Sequence, residues 1–157
     1  MTRGPSGSWI DNEQTMHLVD PSTPTALEGD LIWTQTETTT VRGVVAVDAP
    51  KGDWEELRVE LHVTPMRPER FFASFVCRAG WIRRLCVNKQ HRPIDGTHKH
   101  RIVAGAEDCY EPDDIPPVLV QPDVPPGTYE AVFRAFVAEC TIVVPSTFHW
   151  ASPWEGA

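Results

Sequence analysis

The sequence predicts an α+β fold in which an antiparallel β-meander of five to six strands is packed by one late C-terminal helix. Residues 57–64 alternate between apolar and polar side chains, which is the period of a half-buried strand. The dipeptide Ala79-Gly80 separates two apolar runs, as the turn of a hairpin does. Residues 129–140 instead repeat apolar side chains at helical spacing. The change of period along the chain therefore indicates a sheet followed by a helix.

Strands are predicted wherever β-branched and aromatic residues cluster between polar links. In chain order they cover residues 31–38, 41–47, 57–64, 71–78, 81–87 and 97–104. The last strand follows Asp95-Gly96, which is a turn signal because glycine tolerates positive φ. Short links between consecutive strands favour antiparallel pairing of neighbours.

The helix prediction depends on one apolar stripe. Its side chains recur three and four residues apart, at Tyr129, Val132, Phe133, Phe136, Val137 and Cys140. Thr128 is predicted as the N-cap, since its hydroxyl can accept a backbone hydrogen bond. The β-branched run 141–144 is expected to end the helix. The stripe should pack across one face of the sheet.

A chain of 157 residues fits one domain. We predict a flexible N-terminal arm over residues 1–28, a single α+β domain over 29–150 and a short tail over 151–157. No apolar run reaches the roughly 18 residues of a membrane span, and residues 1–20 lack the apolar core of a secretory signal. A cytoplasmic location without membrane association is therefore expected, and the four cysteines should be reduced, buried thiols.

Charge is distributed unevenly along the chain, whose net formal charge is −8. Nine of the 14 Lys and Arg residues but only two acids lie between Arg67 and Arg101, so this basic window carries about +7 and the other residues about −15. Three of the six histidines lie in the same window, at His91, His98 and His100. A local cationic patch indicates what docks there, so we place the candidate site in this window.

The basic window contains the residue types needed for phosphate-ester chemistry. On a strand, His98 and His100 share one face, while Lys99 and Arg101 share the other. Imidazoles can act as general acid and base near neutral pH, and cations can stabilise the charge of a phosphorane. This interpretation assigns catalytic roles to His91, His98 and His100. It assigns substrate binding to the neighbouring cations Arg83, Arg84, Arg92, Lys99 and Arg101.

Two alternatives stay open for the same residues. His98 and His100 could ligate a metal together with a third residue, for which the candidates are His62, Cys86, His91 and Glu107. The flanking Lys99 and Arg101 disfavour a dication, so we assign no metal and no cofactor. Alternatively, the patch is a recognition surface without chemistry, or it pairs with the chain's own acidic run 107–114. Aromatic residues interleave with the cations but give only a weak indication of base stacking, since half of them must face the core.

Several of these elements together resemble a family of small uncharacterised bacterial and prophage proteins. They are the basic pair Arg83-Arg84, His91-Arg92, the turn Gly96-Thr97-His98-Lys99-His100, the acidic segment 107–110 and the helix at 129–140. Cys109 stands where the family pattern has an aromatic residue, and Tyr110 follows one position later. The resemblance implies a mobile-element or host-conflict setting, without an established activity.

We therefore predict a small protein whose basic, histidine-rich hairpin handles RNA or another phosphate-containing ligand, with RNA cleavage as the catalytic form of that function. The alternative is a non-catalytic, acidic protein-binding module of the inhibitor or antitoxin type, which the net charge of −8 supports. The expected partners are RNA, another phosphate-containing ligand or a protein, and no membrane. The sequence does not decide whether the protein is an enzyme.

Overall fold

The computed structural model describes residues 12–52, 54–90, 95–103, 106–110 and 127–154. Two helices lie in these ranges, α1 (Asn12–Leu18) and α2 (Thr128–Glu139). The strands are β1 (Thr25–Glu37), β2 (Thr40–Asp48), β3 (Arg58–Val63), β4 (Phe71–Cys77), β5 (Gly80–Gln90), β6 (Asp95–Val103), β7 (Ala106–Tyr110) and β8 (Ile142–Val143).

All of these strands belong to one sheet, in the order β7-β6-β5-β4-β3-β2-β1-β8. The structure confirms the α+β class and the antiparallel meander, which runs from β1 to β7. The predicted number of five to six strands is wrong, because the described residues contribute seven strands to the meander and β8 adds a parallel pair with β1. Neither addition follows from composition: β7 is an acidic segment of low strand propensity, and β8 has two residues. Both depend on pairing with a neighbouring strand.

The helix α2 packs its predicted apolar stripe against one face of the sheet, termed here the helix face. All six residues of the stripe are buried, and they form one core with alternate side chains of β1 to β5. Phe71 of β4 meets Tyr129 of α2 edge to face, with 5.0 Å between ring centroids. The predicted N-cap is wrong, since Gly127 occupies that position at φ 83 and Thr128 is the first helical residue. A glycine adopts this left-handed φ without steric cost.

Parts of the predicted arm and tail pack on the core. Leu18 at the end of α1 is buried, and β1 begins at Thr25, so both lie inside the segment expected to be an arm. In the predicted tail, the Ala151 carbonyl oxygen accepts a 2.8 Å hydrogen bond from Nε1 of Trp33. Residues 1–11 and 155–157 lie outside the described part of the chain. Among the described helices, none has the length and apolar character needed to cross a membrane.

Candidate functional site

The pairing of β5 with β6 divides the predicted site between two opposite faces of the sheet. Directly opposite residues of an antiparallel pair share a face. The helix face receives the pairs Leu85–Lys99 and Arg83–Arg101. The other face, termed the distal face, receives the pairs Cys86–His98 and Arg84–His100. The register of β2, β3 and β4 adds to the distal face Arg42, Arg58, Glu60, His62 and Phe72.

Three of the predicted phosphate-binding cations lie on the helix face. Lys99 is only 2% exposed, and its Nζ lies 3.6 Å from Oε2 of Glu139 on α2. Arg83 is buried as well. Arg101 lies directly opposite Asp108 of β7. The period-two prediction is therefore confirmed, and the sheet separates these three cations from the histidine pair.

At the β5–β6 end of the distal face, Cys86, His98 and His100 converge. They are 2%, 0% and 6% exposed, respectively. The Cys86 sulfur and one ring nitrogen of each histidine all lie within 4.8 Å of one another. The two imidazole rings are 4.8 Å apart between centroids and inclined by 69°.

The hydrogen bonding of His98 defines its tautomer. Its Nδ1 lies 2.9 Å from the carbonyl oxygen of Gly96. A carbonyl oxygen only accepts hydrogen bonds, so Nδ1 carries the proton and, in the neutral ring, Nε2 carries the lone pair. The basic nitrogen Nε2 therefore lies on the side of the ring that points away from the backbone of β6.

A β-bulge in β5 determines which face the two histidines occupy. The pairing of β5 with β6 shifts between Cys86 and Lys89, and Asn88 adopts φ 52 between them. If the register of the pair Lys89–Gly96 continued along the strands without the shift, His98 would lie opposite Val87, whose side chain lies in the core. The bulge instead brings His98 opposite Cys86. Bulges commonly re-aim side chains beside functional sites in this way.

A row of ring and guanidinium contacts crosses the distal face from β3 to β6. His62 stacks on Phe72, with centroids 4.3 Å apart and planes inclined by 14°. The Cζ atom of Arg84 lies 5.9 Å from the Phe72 centroid and 5.8 Å from the Trp81 centroid. The Trp81 ring meets His100 at 6.3 Å, close to edge-on. The row therefore joins the partly exposed β3–β4 side of the face to the buried histidine pair.

Glu60 contacts three basic side chains at the exposed end of this row. Its Oε1 accepts hydrogen bonds from Arg42 and, at 2.6 Å, from Nε of Arg58, while Oε2 lies 3.4 Å from Nε2 of His62. The hydrogen bond with His62, together with those from the two arginines, holds the pKa of Glu60 well below its usual value. Glu60 is thus a carboxylate at neutral pH, and Arg58 also lies 4.0 Å from the exposed carboxylate of Glu56, so the two arginines are balanced by two carboxylates.

The structure describes only some of the remaining residues of the predicted site. His91 and Arg92 lie outside the described residues. Residues 107–110, the first part of the acidic run, lie on β7, which pairs with the basic strand β6. Residues 111–114 of the run lie outside the described ranges.

Sequence reasoning did not assign Phe72 or Trp81 to the site, and it named His62 and Cys86 only as two of several candidate third ligands. A partial signal was available in β5, where Arg84 and Cys86 alternate with apolar residues. Alternation shows which residues of one strand share a face. It does not show which residues of the next strand lie opposite them.

No protein-family model, curated protein or solved structure matches the chain. The resemblance to small bacterial and prophage proteins therefore stays a prediction, and function has to be inferred from the geometry of the site.

Proposed function

We propose that the distal face binds a phosphate-containing ligand and that single-stranded RNA is the class it recognises. The supporting observation is the position of Arg84, whose guanidinium lies near both Phe72 and Trp81 in the middle of the face. Arg84 and Phe72 both keep part of their surface exposed. Arginine beside aromatic rings is the combination that stacks on unpaired bases and neutralises the phosphate backbone.

The position of the surrounding cations is compatible with the same ligand. Arg42 and Arg58 are partly exposed beside Glu60 and the His62–Phe72 stack, and Glu56 pairs with Arg58 from the exposed side. A strand of RNA that crosses the face from β2 to β5 would meet cations on both sides of this stack. The acidic character of the whole chain does not oppose such binding, because the local potential governs docking.

Burial of the histidine pair favours binding over cleavage. A general acid and a general base must come within hydrogen-bond reach of the reacting oxygens of the RNA. His98 and His100 are buried, and Lys99 faces α2 on the opposite side of the sheet. The proposal therefore assigns ligand contact to Arg84, Phe72 and their neighbours, and does not require the histidines to touch RNA.

Fluorescence anisotropy with a labelled single-stranded RNA, repeated over a series of salt concentrations, tests the proposal. For the wild type, log Kd should rise linearly with log salt, as counterion release requires. Arg84→Ala should weaken binding and lower the salt slope by about 0.7, the value for one phosphate contact on a single strand. Phe72→Leu should weaken binding by about 1–3 kcal/mol, the range for one stacked base, at an unchanged salt slope.

Arg78→Ala is the matched control, because Arg78 is an exposed arginine at the β4–β5 turn that pairs with Glu55. The control should leave affinity and salt slope unchanged. Lack of salt-dependent RNA binding by the wild type, or equal effects of Arg78→Ala and Arg84→Ala, would overturn the proposal. The same RNA reports cleavage: a wild type that cleaves no more than the His98→Ala/His100→Ala double variant has no histidine-dependent ribonuclease activity.

A protein-binding function has one observation in its favour. β7 lies at one end of the strand order and carries the beginning of the acidic run, so no other strand within the described ranges pairs with its outer edge. An edge strand can accept an added strand from a partner. A partner that co-purifies with wild type and with Arg84→Ala alike, without RNA binding by either, would favour this second function.

A further inference from the structure

We propose that Cys86, His98 and His100 bind a transition-metal dication, with Zn²⁺ as the expected ion. The sequence disfavours a metal here because cations flank the histidines. The structure places the nearest of these, Lys99, on the opposite face, where it pairs with Glu139. Neither of the two cations that flank the histidines in sequence shares their face. On that face Arg84 lies opposite His100, and Cys86 lies opposite His98 and supplies a thiol donor.

The chemistry of the donors selects the class of metal. One thiolate and two imidazoles are borderline to soft ligands that suit Zn²⁺ and its transition-metal neighbours. Mg²⁺ and Ca²⁺ require oxygen ligands, which this trio does not supply. On binding, the Cys86 S–H bond loses its proton to solvent as the metal–sulfur bond forms, and no oxidation state changes.

The distances in the trio are compatible with coordination after a small adjustment. With Zn–S at about 2.3 Å and Zn–N at about 2.0–2.1 Å, tetrahedral ligand atoms lie roughly 3.3–3.6 Å apart. The three donor atoms now lie within 4.8 Å of one another. A contraction of about 1 Å is within reach of rotations about the side-chain torsions, without a change in backbone register.

The surroundings of His98 match those of metal-binding histidines. Such a residue commonly donates its second ring N–H to a carbonyl or carboxylate, which fixes the ring and raises the basicity of the ligating nitrogen. The contact between Nδ1 of His98 and the Gly96 carbonyl provides this arrangement and leaves Nε2 as the ligating atom. The trio also stands on two paired strands, so the register of the sheet holds it in place.

We assign Cys109, which is not one of the three converging donors, as the fourth ligand. It lies directly opposite His100 on β7, and therefore on the same face, and it is partly exposed. Directly opposite residues have Cβ atoms about 4.5–5.5 Å apart, so its sulfur can swing toward the histidines. Four protein ligands form a closed, structural zinc site. Such a site would join β5, β6 and β7 and would not require an RNA-binding function.

Cobalt substitution of the full-length protein tests the proposal. Metal-free protein is titrated with Co²⁺ and then with Zn²⁺. About one equivalent of Co²⁺ should produce a sulfur-to-cobalt charge-transfer absorption and the intense visible bands of tetrahedral cobalt, and Zn²⁺ should remove both. A wild type without saturable binding, or with bound cobalt but no charge-transfer absorption, overturns the proposal even where variants fail to fold.

Variants then identify the ligands. Cys86→Ala and His98→Gln should each weaken Zn²⁺ binding by about 100-fold or more, since loss of supporting contacts alone reaches that value. Cys77→Ala removes another buried thiol, on the helix face, and His62→Gln removes another imidazole of the distal face. Both controls should bind Zn²⁺ like the wild type. Equal losses in Cys86→Ala and Cys77→Ala, with circular dichroism showing both folded, would contradict the assignment.

The fourth ligand has its own readout. Cys109→Ser should reduce the charge-transfer intensity of the cobalt form by about half, because one of two thiolates is lost. An unchanged intensity would overturn the assignment of Cys109. RNA binding is measured separately on the same proteins, so a failure of the proposed RNA function and a failure of the metal site are distinguishable.

Discussion

Removal of the Glu139 carboxylate should destabilise the fold more than removal of the Lys99 ammonium. The side chain of Lys99 is 2% exposed and that of Glu139 is 22% exposed. An ammonium left without this carboxylate would therefore stay almost without water, whereas Glu139 without the ammonium can hydrate in part, because its side chain is partly exposed although its Oε2 is buried. The comparison also tests whether Lys99 has a structural role and not the substrate-binding role that the sequence indicates.

The size of the effect follows from burial and distance. Breaking a buried ion pair by removing one partner costs about 3–5 kcal/mol. The 3.6 Å separation of Nζ and Oε2 and the partial exposure of Glu139 favour the lower end of that range, so Glu139→Ala should cost about 3 kcal/mol. Lys99→Met keeps an unbranched, apolar stem in the core and should cost about 1 kcal/mol. The double variant should cost no more than about 1 kcal/mol, because neither charge is left buried.

Urea unfolding of the wild type, both single variants and the double variant gives the coupling energy of the pair, which we expect to be about 3 kcal/mol. The melting temperature of Glu139→Ala should fall by about 6–12 °C for a chain of this size. Glu130→Ala is the control, because it breaks a surface pair with Arg134 on the same helix, and its effect should be small. A coupling energy of zero within error, or a larger cost for Lys99→Met than for Glu139→Ala, refutes the reasoning.

Two further predictions concern stability. The pKa of Glu60 lies below the value of 4.5 for an unfolded carboxyl group, so its ionised form stabilises the fold above that pH and this stabilisation is lost on acidification. Urea unfolding at about pH 7 and about pH 3 should therefore show a smaller acid loss for Glu60→Gln than for the wild type, and equal losses would contradict the hydrogen-bonded role. Gly43→Ala should cost about 1–3 kcal/mol in thermal unfolding, because its Cβ would lie 2.9 Å from the ring of Trp33. Trp33 is held by its hydrogen bond to the Ala151 carbonyl oxygen. A Gly43→Ala variant as stable as the wild type would contradict this prediction, because it would show that the Trp33 ring moves aside without cost.

The elements that sequence periodicity predicts well are those whose pattern is local. The alternating segment 57–64 contains β3, with its apolar residues in the core, and the stripe on 129–140 is buried on α2. The opposite orientations of His98 and Lys99 follow in the same way from the two-residue period of a strand. The strand count was harder to predict, because β7 has little strand propensity of its own and β8 has only two residues.

The candidate site also combines features that follow from a local pattern with features that depend on contacts between separate elements. The basic window and the histidine pair are visible in the sequence. The row of His62, Phe72 and Arg84 brings together three strands, and no local pattern relates residues of separate strands. Glu139, which pairs with Lys99, lies on α2 outside the basic window, so this ion pair could not be predicted from the charge of the window.

The order of residues within each strand and within α2 establishes which of them share a face, because side-chain direction follows from backbone geometry within one element. The sequence also shows where cations and histidines concentrate. Which of the two faces carries the histidines depends on the pairing of β5 with β6 in the folded sheet. The bulge at Asn88 shifts the pairing by one residue, so His98 lies opposite Cys86 and not opposite Val87. A one-residue shift moves every side chain of a strand to the other face, and the cross-strand contacts that select it exist only in the folded sheet.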